Sequence, residues 1–500
     1  MNKYVGAATM KMIDAKTINE VGIPSMVLME RAALSIVKNI IEREKINSRI
    51  IIIAGVGNNG GDGICVARIL HEQGYKVAAY VIGNEDKCSV ETRQQINIAR
   101  NSGVSFINQI DFDEYDIVVD SIFGIGICRD IKDSYYDIID RINKSDKVVY
   151  SVDIPSGINT DTGCVQGIAV KADYTITFGV NKKGLILHPG RIYAGEVIVE
   201  DIGFPNHVTR ELCEKDAFSS YLKNDYKDYL PKRKQNSNKG NYGRVLVIAG
   251  SKNMAGACYF SAKAAYRMGA GLVQIFTCED NRVILQELIP EAIMTTYEKS
   301  NWDEKLNKAL EWSTCVVAGP GLSTDDLSKE IVKYILDNCQ KPMVLDADAL
   351  NILANLEEKY ISGLENVILT PHLKEMSRLV KCDVNEIKQN MYNPRELVSR
   401  IKGFLDKDNN VIVLKDATSV VLDNKDIYVN TSGNNGLATG GSGDVLSGII
   451  AGLLAQGLNN IEAASLGAYI HGIAAENYVD RANCYSLNAS DLLEELQYIL

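Results

Sequence analysis

Apolar positions near the start of the chain recur at three- and four-residue steps. Met10, Ile13 and Thr17 form one series, and Val27, Met29, Ala32, Ala33, Ile36, Val37 and Ile40 form a second. That period lays a stripe along one helix face. Gly22 and Pro24 divide the stretch into two helices. The pattern then changes. Ile50 to Ala54 is an unbroken apolar run, short and rich in β-branched residues, which predicts a buried strand. Similar runs stand at Val77 to Ile82, Asp116 to Val119, Val148 to Val152, Tyr174 to Phe178 and Val197 to Val199, with helical patterns between the earlier ones. Strands alternating with helices predict an α/β fold whose parallel sheet is covered on both faces.

Residues 222–243 break the rhythm. They are polar, basic and almost without apolar periodicity, which predicts a domain boundary, and Lys232-Arg233-Lys234 reads as a solvated linker. The alternation then restarts with a strand at Val245 to Ala249 and an alanine-rich helix at Ala255 to Gly269. Further strands are expected at Leu272 to Phe276, Cys315 to Ala318, Met343 to Leu345, Val367 to Leu369, Val411 to Leu414 and Ser419 to Leu422. A helix of small residues begins near Asp444.

Composition narrows the class. At roughly 150 residues per domain, 500 residues are too many for one ordinary core. Hydrophobic residues at 46 % and charged residues at 23 % describe a globular chain. The net charge of -11 argues against general nucleic-acid binding, which needs basic surface. No run is long enough for a membrane span, and the first residues lack a secretory pattern. Eleven cysteines without a CxxC pair read as reduced thiols of a cytoplasmic protein. Five scattered histidines argue against zinc.

In open parallel sheets, ligands sit beyond the carboxyl ends of the strands. The first such loop is Gly55-Val-Gly57-Asn-Asn-Gly60-Gly-Asp-Gly63. It contains GxGxxG, but the strand ending at Ile82 lacks the acid that holds a ribose in ordinary dehydrogenases. Its glycines let backbone approach a ligand, and the following helix offers N–H groups. Asp120 and Asp153 each end a strand, Asp120 beside Gly124 and Gly126, Asp153 beside Pro155, Ser156 and Gly157. A buried strand-end acid needs a partner or a cation. Asn59 and Asp120, with Ser156, offer the hard oxygens a hard cation prefers. Each acid alone also suits a cap or loop anchor.

In the second half, Gly440-Gly441-Ser-Gly443-Asp444 precedes the small-residue helix. Glycines at a helix N-terminus form an anion hole. No GxxxxGK[ST] occurs, which excludes a P-loop ATPase. A carboxylate at that helix start repels a bound phosphate unless it faces the attacking group, so Asp444 is assigned general base, the alternative being an ordinary acid of the first helical turn. Gly319-Pro-Gly321 can let a ligand come close. His372 and Glu375 follow another strand, as candidates for substrate contact and for a magnesium-bound water. Asp346 and Asp348 are candidates for magnesium or for capping.

The segments GVGNNGGDG, VVDSIFGIG and SVDIPSG, with the preface GIPSMVLMERA, resemble the NAD(P)H-hydrate epimerase domain over residues 1–215. The resemblance implies a Rossmann-like three-layer domain that binds a hydrated nicotinamide dinucleotide. It implies substrate contacts by Asn58, Asn59, Gly60, Gly61 and Asp62, and by Gly124, Ile125, Gly126, Ile127, Cys128, Arg129 and Asp130. Asp153 would be the acid–base residue, and Asn59, Asp120 and Ser156 would hold potassium. Met29-Glu30-Arg31-Ala32-Ala33 departs from the family's MENAG.

The segments KGNYGRVLVIAGS, GPGL, VLDADALN, ILTPH and GNNGLATGGSGDVLSGIIAGLLAQG resemble the ribokinase-like ADP/ATP-dependent NAD(P)H-hydrate dehydratase, giving a second domain at 225–500 with a largely parallel sheet. This implies substrate contacts by Ala255, Gly321, His372 and Asp444, and nucleotide contacts by Lys415, Asp416, Ala417, Thr418, Ser419 and Gly443. It also implies ADP as co-substrate, magnesium on the nucleotide phosphates and assembly as a homo-oligomer. Lys374 and Asp416 stand where that family has glycine. Together the halves resemble bifunctional NAD(P)H-hydrate repair enzymes. The residues alone leave open a small-molecule kinase with an accessory N-terminal domain and a non-catalytic dinucleotide-binding regulator.

Overall fold

The computed structural model describes residues 1–499, Lys215 and Asp216 through their backbone only. The described residues form two compact units, 2–218 and 219–499 with Met1.

In the first unit, seven strands run parallel: β2 (Arg49–Ala54), β3 (Lys76–Val81), β4 (Ser105–Phe106), β5 (Ile117–Ser121), β6 (Val148–Val152), β7 (Tyr174–Phe178) and β9 (Glu196–Glu200). Their order is β4-β3-β2-β5-β6-β7-β9. The order reverses between β2 and β5, so the crevice beyond those two strand ends is the expected ligand position. The alternation along β2 explains the layers. Ile50, Ile52 and Ala54 pack with α1 (Ala7–Lys16), α2 (Ser25–Arg43), α3 (Asn58–Glu72) and α4 (Val90–Asn101). Ile51 and Ile53 pack with α5 (Asp133–Lys144) on the other face. Strand residues buried on both faces must be apolar throughout, as the run Ile50 to Ala54 is.

Two elements escape the apolar pattern. β1 (Asn2–Val5) and β8 (Asn181–Lys182) form a short parallel pair in which Val5 lies opposite Lys182. The pair brings the start of α1 beside the loop that follows β7. The predicted helical preface forms two α-helices joined by a π-helical turn, Thr17–Val21, which ends at Gly22 with φ +87°.

In the second unit, β11 (Arg244–Ile248), β12 (Leu272–Cys278), β13 (Ile293–Tyr297), β14 (Cys315–Ala318), β15 (Met343–Leu345), β16 (Val367–Leu369) and β17 (Val411–Leu414) run parallel in the order β13-β12-β11-β14-β15-β16-β17. β18 (Val420–Leu422) and β19 (Ile427–Val429) continue the sheet antiparallel. β10 (Phe218–Ser220) pairs with β19 through Ser219. The helices Ala255–Arg267, Ser442–Ala455 and Asn460–Val479 close one face over Val245, Val247 and Ala249.

The polar stretch 222–243 is not a free linker throughout. Tyr226 is buried in this core and donates its hydroxyl to the Ile499 carbonyl at 2.7 Å. Lys232, Arg233 and Lys234 are exposed, as their charge predicts.

Candidate active sites

In the first unit, close packing requires the glycines at the switch point. A Cβ on Gly60 would lie 1.8 Å from the Gly55 carbonyl oxygen, and one on Gly55 would lie 2.0 Å from that of Ile122. The loop after β2 thus lies directly on the loop after β5. Beneath this contact, Asp120 is fully buried. Its oxygens accept from Ser156 Oγ at 2.6 Å, the Ser156 amide at 2.9 Å, Ser151 Oγ at 2.9 Å and the Ile122 amide at 3.3 Å. Every one of these partners is neutral, and burial raises the Asp120 carboxyl against the lowering effect of its hydrogen bonds.

Asn59 reaches the same place from the other loop: a Cβ on Gly124 would touch its Cβ, Cγ and Oδ1 at 3.2 Å. The Asn59 amide is buried with Nδ2 unpartnered. A buried carboxylate with no cationic partner, a serine hydroxyl and the Asn59 side-chain oxygen are the oxygens that fit a monovalent cation. Asn59, Asp120 and Ser156 would hold it.

Asp153 follows β6 with φ +67°. Its Oδ1 accepts from Lys182 Nζ at 2.5 Å, Thr177 Oγ1 at 3.0 Å and the Phe178 amide at 3.3 Å. Its Oδ2 has no partner among the described residues. Lys182 is fully buried and also donates to Thr177 Oγ1 and the Phe178 carbonyl. A cavity of about 230 Å³ opens here, lined by Asp153, Lys182, Asn58, Asn59, Asp62, Gly124 and Ile125, and by Asp14 from α1. Burial pushes the Asp14 carboxyl up to about 6, with the Asp153 charge adding to the rise. Burial, then Asp153 and Asp14, push Asp62 well above the usual carboxylate range.

The loop 124–130 divides between two spaces. Gly124 and Ile125 face the first cavity. Ile127, Arg129 and Asp130 line a second of about 690 Å³, with Phe123, Lys132 and Tyr135. Gly126 and Cys128 are exposed and line neither, and Gly60 and Gly61 are buried in the first turn of α3.

In the second unit, the strand ends β15, β16 and β17 meet the start of the helix Ser442–Ala455. Asp346 is buried, and its Oδ1 accepts from Lys415 Nζ at 2.8 Å while Oδ2 accepts from Ser447 Oγ at 2.6 Å. Ala347 beside it holds φ +50°, a conformation costly for a residue with a Cβ. Gly441 takes φ +87° before the helix. A Cβ on Gly443 would lie 3.4 Å from Lys415 Nζ. Asp444, in the first turn, has a side chain without a hydrogen bond or ion pair among the described residues. Burial and the charge of Asp346 push its carboxyl up to about 7, against the opposing Lys415.

Ala255 and Gly321 meet across Met254 and Ala257: a Cβ on Gly321 would lie 2.9 Å from Ala257 Cβ. Lys415 to Ser419 form the turn between β17 and β18. Asp416 and Ala417 are exposed, Thr418 is buried and Ser419 is half-buried. Asp416 and Lys374, where the family pattern has glycine, both lie at the surface.

Structural roles account for the acids offered to magnesium. Asp348 accepts from the Ser323 amide at 2.8 Å. Glu375 and His372 form a reciprocal cap of the helix Leu373–Val380: His372 Nδ1 accepts from the Lys374 and Glu375 amides, and Glu375 accepts from the His372 amide at 2.8 Å. Among the described residues no cluster of His, Cys, Asp or Glu is arranged to hold an ion. Magnesium therefore has no cage of acids here; a nucleotide's phosphates would have to supply most of its ligands.

Sequence reasoning missed Asp14 and Lys182. Asp14 does carry a signal: it lies four residues from both Met10 and Ile18, and all three line the first cavity. Lys182 sits in Asn181-Lys182-Lys183, which reads as surface charge until the β1–β8 pair buries it.

Comparison with known proteins accounts for both units. A family described as YjeF-related protein N-terminus matches residues 25–184, and one described as NAD(P)H-hydrate dehydratase matches 245–498. The bifunctional NAD(P)H-hydrate repair enzyme Nnr of Coxiella burnetii is 36 % identical over 485 residues, 96 % of this chain and 96 % of that protein. That of Moorella thermoacetica is 34 % identical over 521 residues, 99 % and 96 %. The crystal structure of a ribokinase-like superfamily protein from Enterococcus faecalis V583 superposes with a TM-score of 0.50 at 28 % identity, covering 56 % of this chain and 95 % of that one. The chain belongs to the family of bifunctional NAD(P)H-hydrate repair enzymes.

Proposed function

We propose that this chain repairs hydrated NADH and NADPH in two steps, one in each unit. The first unit interconverts the R and S hydrates, and the second dehydrates the S hydrate with ADP, releasing AMP and phosphate. The observation that carries the reading is that each unit aims one acid at a glycine-lined strand end: Asp153 with a free Oδ2, and Asp444 without a side-chain partner.

In the first unit, Asp153 takes the proton of the hydrate hydroxyl as the bond from the ring nitrogen to the hydrated carbon opens, and the ring recloses on the other face. Lys182 holds Asp153 in place through its 2.5 Å contact with Oδ1. The cavity of about 230 Å³ accommodates a single ring rather than a dinucleotide. The neighbouring space at Phe123, Arg129 and Tyr135 has room for the remainder. Potassium would sit at Asn59, Asp120 and Ser156 and fix the two loops against each other.

In the second unit, Asp444 takes the hydroxyl proton while the oxygen attacks the terminal phosphoryl of ADP. Amides at Gly441 and Gly443 and the Lys415 ammonium face the charge of the transferring group. Phosphate then leaves with the electron pair of the C–O bond, the adjacent ring carbon gives up a proton to the departing phosphate, and the double bond returns, since phosphate is a far better leaving group than hydroxide. Magnesium would arrive on the nucleotide and neutralise its phosphates. All eleven cysteines are free thiols, which supports a reducing, cytoplasmic setting. No described helix is long and apolar enough to cross a membrane. Assembly as a homo-oligomer is part of the reading and rests on the ribokinase-like resemblance.

The test is recovery of reduced-nicotinamide absorbance from each purified epimer, with ADP or ATP, with and without potassium. Asp153→Asn should abolish epimer exchange and leave dehydration of the S hydrate intact. Loss of both activities overturns the division of labour. A phosphorylated product without recovered absorbance points to a kinase instead.

A further inference from the structure

The first cavity holds more proton-handling groups than one acid and its lysine. Asp14 projects from α1, outside every motif of the strand-end loops, into the space lined by Asp153 and Lys182. Its carboxylate makes no hydrogen bond or ion pair among the described residues. Asp153 differs: Lys182, Thr177 and Phe178 all bind its Oδ1. One carboxyl is held by a cation, and the other is left in a half-buried apolar setting beside Met10 and Ile18.

We propose that Asp14 is a second catalytic residue of the first unit, the acid that works opposite the base Asp153. The inference rests on the epimerase reading of that unit and deepens it. Ring opening needs both roles at once. As Asp153 removes the hydroxyl proton, the C–O bond becomes a carbonyl. The bond from carbon to ring nitrogen breaks, its electron pair goes to nitrogen, and nitrogen takes the Asp14 proton. After rotation about the adjacent carbon–carbon bond, nitrogen attacks the opposite face. Its proton returns to Asp14, and the oxygen recovers the proton held by Asp153. Atoms and charge balance, and no outside reagent is used.

The electrostatic setting supports this division. The charged groups facing Asp14 are Asp153 from the loop after β6, Asp62 from α3 and Lys182 from β8. Burial and Asp153 raise Asp14 to about 6, which keeps a proton available. A carboxyl bound by a cation and a second left unpaired in an apolar setting are suited to opposite roles, base and acid. Asp62 is also raised, but it lies on α3, in the loop-and-helix segment Asn58 to Asp62 that the family resemblance assigns to ligand binding.

The experiment uses the full chain and measures epimer exchange, with ADP-dependent dehydration of the S hydrate as internal control. Asp14→Asn should lower kcat for exchange by roughly 10²-fold or more with little change in KM and normal dehydration. The wild-type rate should fall as pH rises through the Asp14 titration near 6, and Asp14→Asn should lose that limb. Asp14→Glu should restore part of the rate together with the limb. Asp62→Asn should raise KM and keep the limb. Exchange within twofold of wild type in Asp14→Asn overturns the proposal while leaving the epimerase reading standing, and so does a limb that disappears in Asp62→Asn instead. Wild-type exchange no faster than the uncatalysed rate overturns both.

Discussion

At the scale of single residues, the environment of Asp444 sets a direction for pH dependence. Burial and the charge of Asp346 raise its carboxyl to about 7, with Lys415 opposing. A general base works only when ionised. Dehydration should therefore accelerate with rising pH through that value, by about tenfold between pH 6 and pH 8 at saturating ADP. Asp444→Asn should remove both the activity and the slope, leaving epimer exchange unchanged; the two rates measured across the pH range check this. Asp153 and Asp444 stand out in the sequence for different reasons: Asp153 ends an apolar run ahead of Pro155-Ser156-Gly157, and Asp444 closes a glycine-rich loop at the start of a helix. Asp14 and Lys182 do not. One lies in a helix outside the strand-end loops, and the other lies in a lysine pair. Only tertiary packing, through the two-residue ladder Tyr4–Asn181 and Val5–Lys182, makes them neighbours. Of the magnesium candidates, Asp346 and Asp348 were legible as acids with a possible structural use, whereas the capping role of Glu375 was not. Glu375 lies three residues after the N-cap His372, the spacing of a capping box, and accepts from the His372 backbone amide.

At the scale of elements, strands buried on both faces were read within a residue or two, because an unbroken β-branched run has few other folds. β1, β4, β8, β10, β13 and β19 escaped. Ile293–Tyr297 carries two threonines and lies at the sheet edge, while β19 is only three residues long. The antiparallel turn from β17 to β18 also departs from the expected parallel alternation, since Lys415–Ser419 is too short for a crossover helix. The start of the helix Ser442–Ala455 carries a sharper consequence. Gly441 holds φ +87°, and a Cβ there would lie 2.8 Å from Phe260 and 2.9 Å from Ala489. Gly441→Ala should destabilise the second unit by about 1–3 kcal/mol and lower dehydration further than instability explains, because the amides facing the phosphoryl group move. Denaturant unfolding alongside kcat, at a temperature where the variant remains folded, separates the two effects.

At the scale of the whole molecule, the separation into residues 2–218 and 219–499 implies that the two chemistries need not share a chain. An equimolar mixture of Asp153→Asn and Asp444→Asn should restore reduced nicotinamide from the R hydrate, although neither variant does so alone. Recovery that stays absent on mixing would mean that the intermediate never reaches solvent. The break at 218 precedes the polar stretch that suggested it, because Tyr221 and Tyr226 anchor the start of that stretch in the second core; polarity marked the neighbourhood, and two aromatics set the position. The crowding of Asp14, Asp62 and Asp153 around a single lysine has a consequence for ligand polarity. With Asp153 paired to Lys182 and both Asp14 and Asp62 raised, the described residues of the chamber offer no free cation to a pyrophosphate and suit a neutral ring. A long molecule that is charged in the middle can then enter only by its uncharged tip, so the same carboxyls that move protons also decide which end of the guest is presented to them.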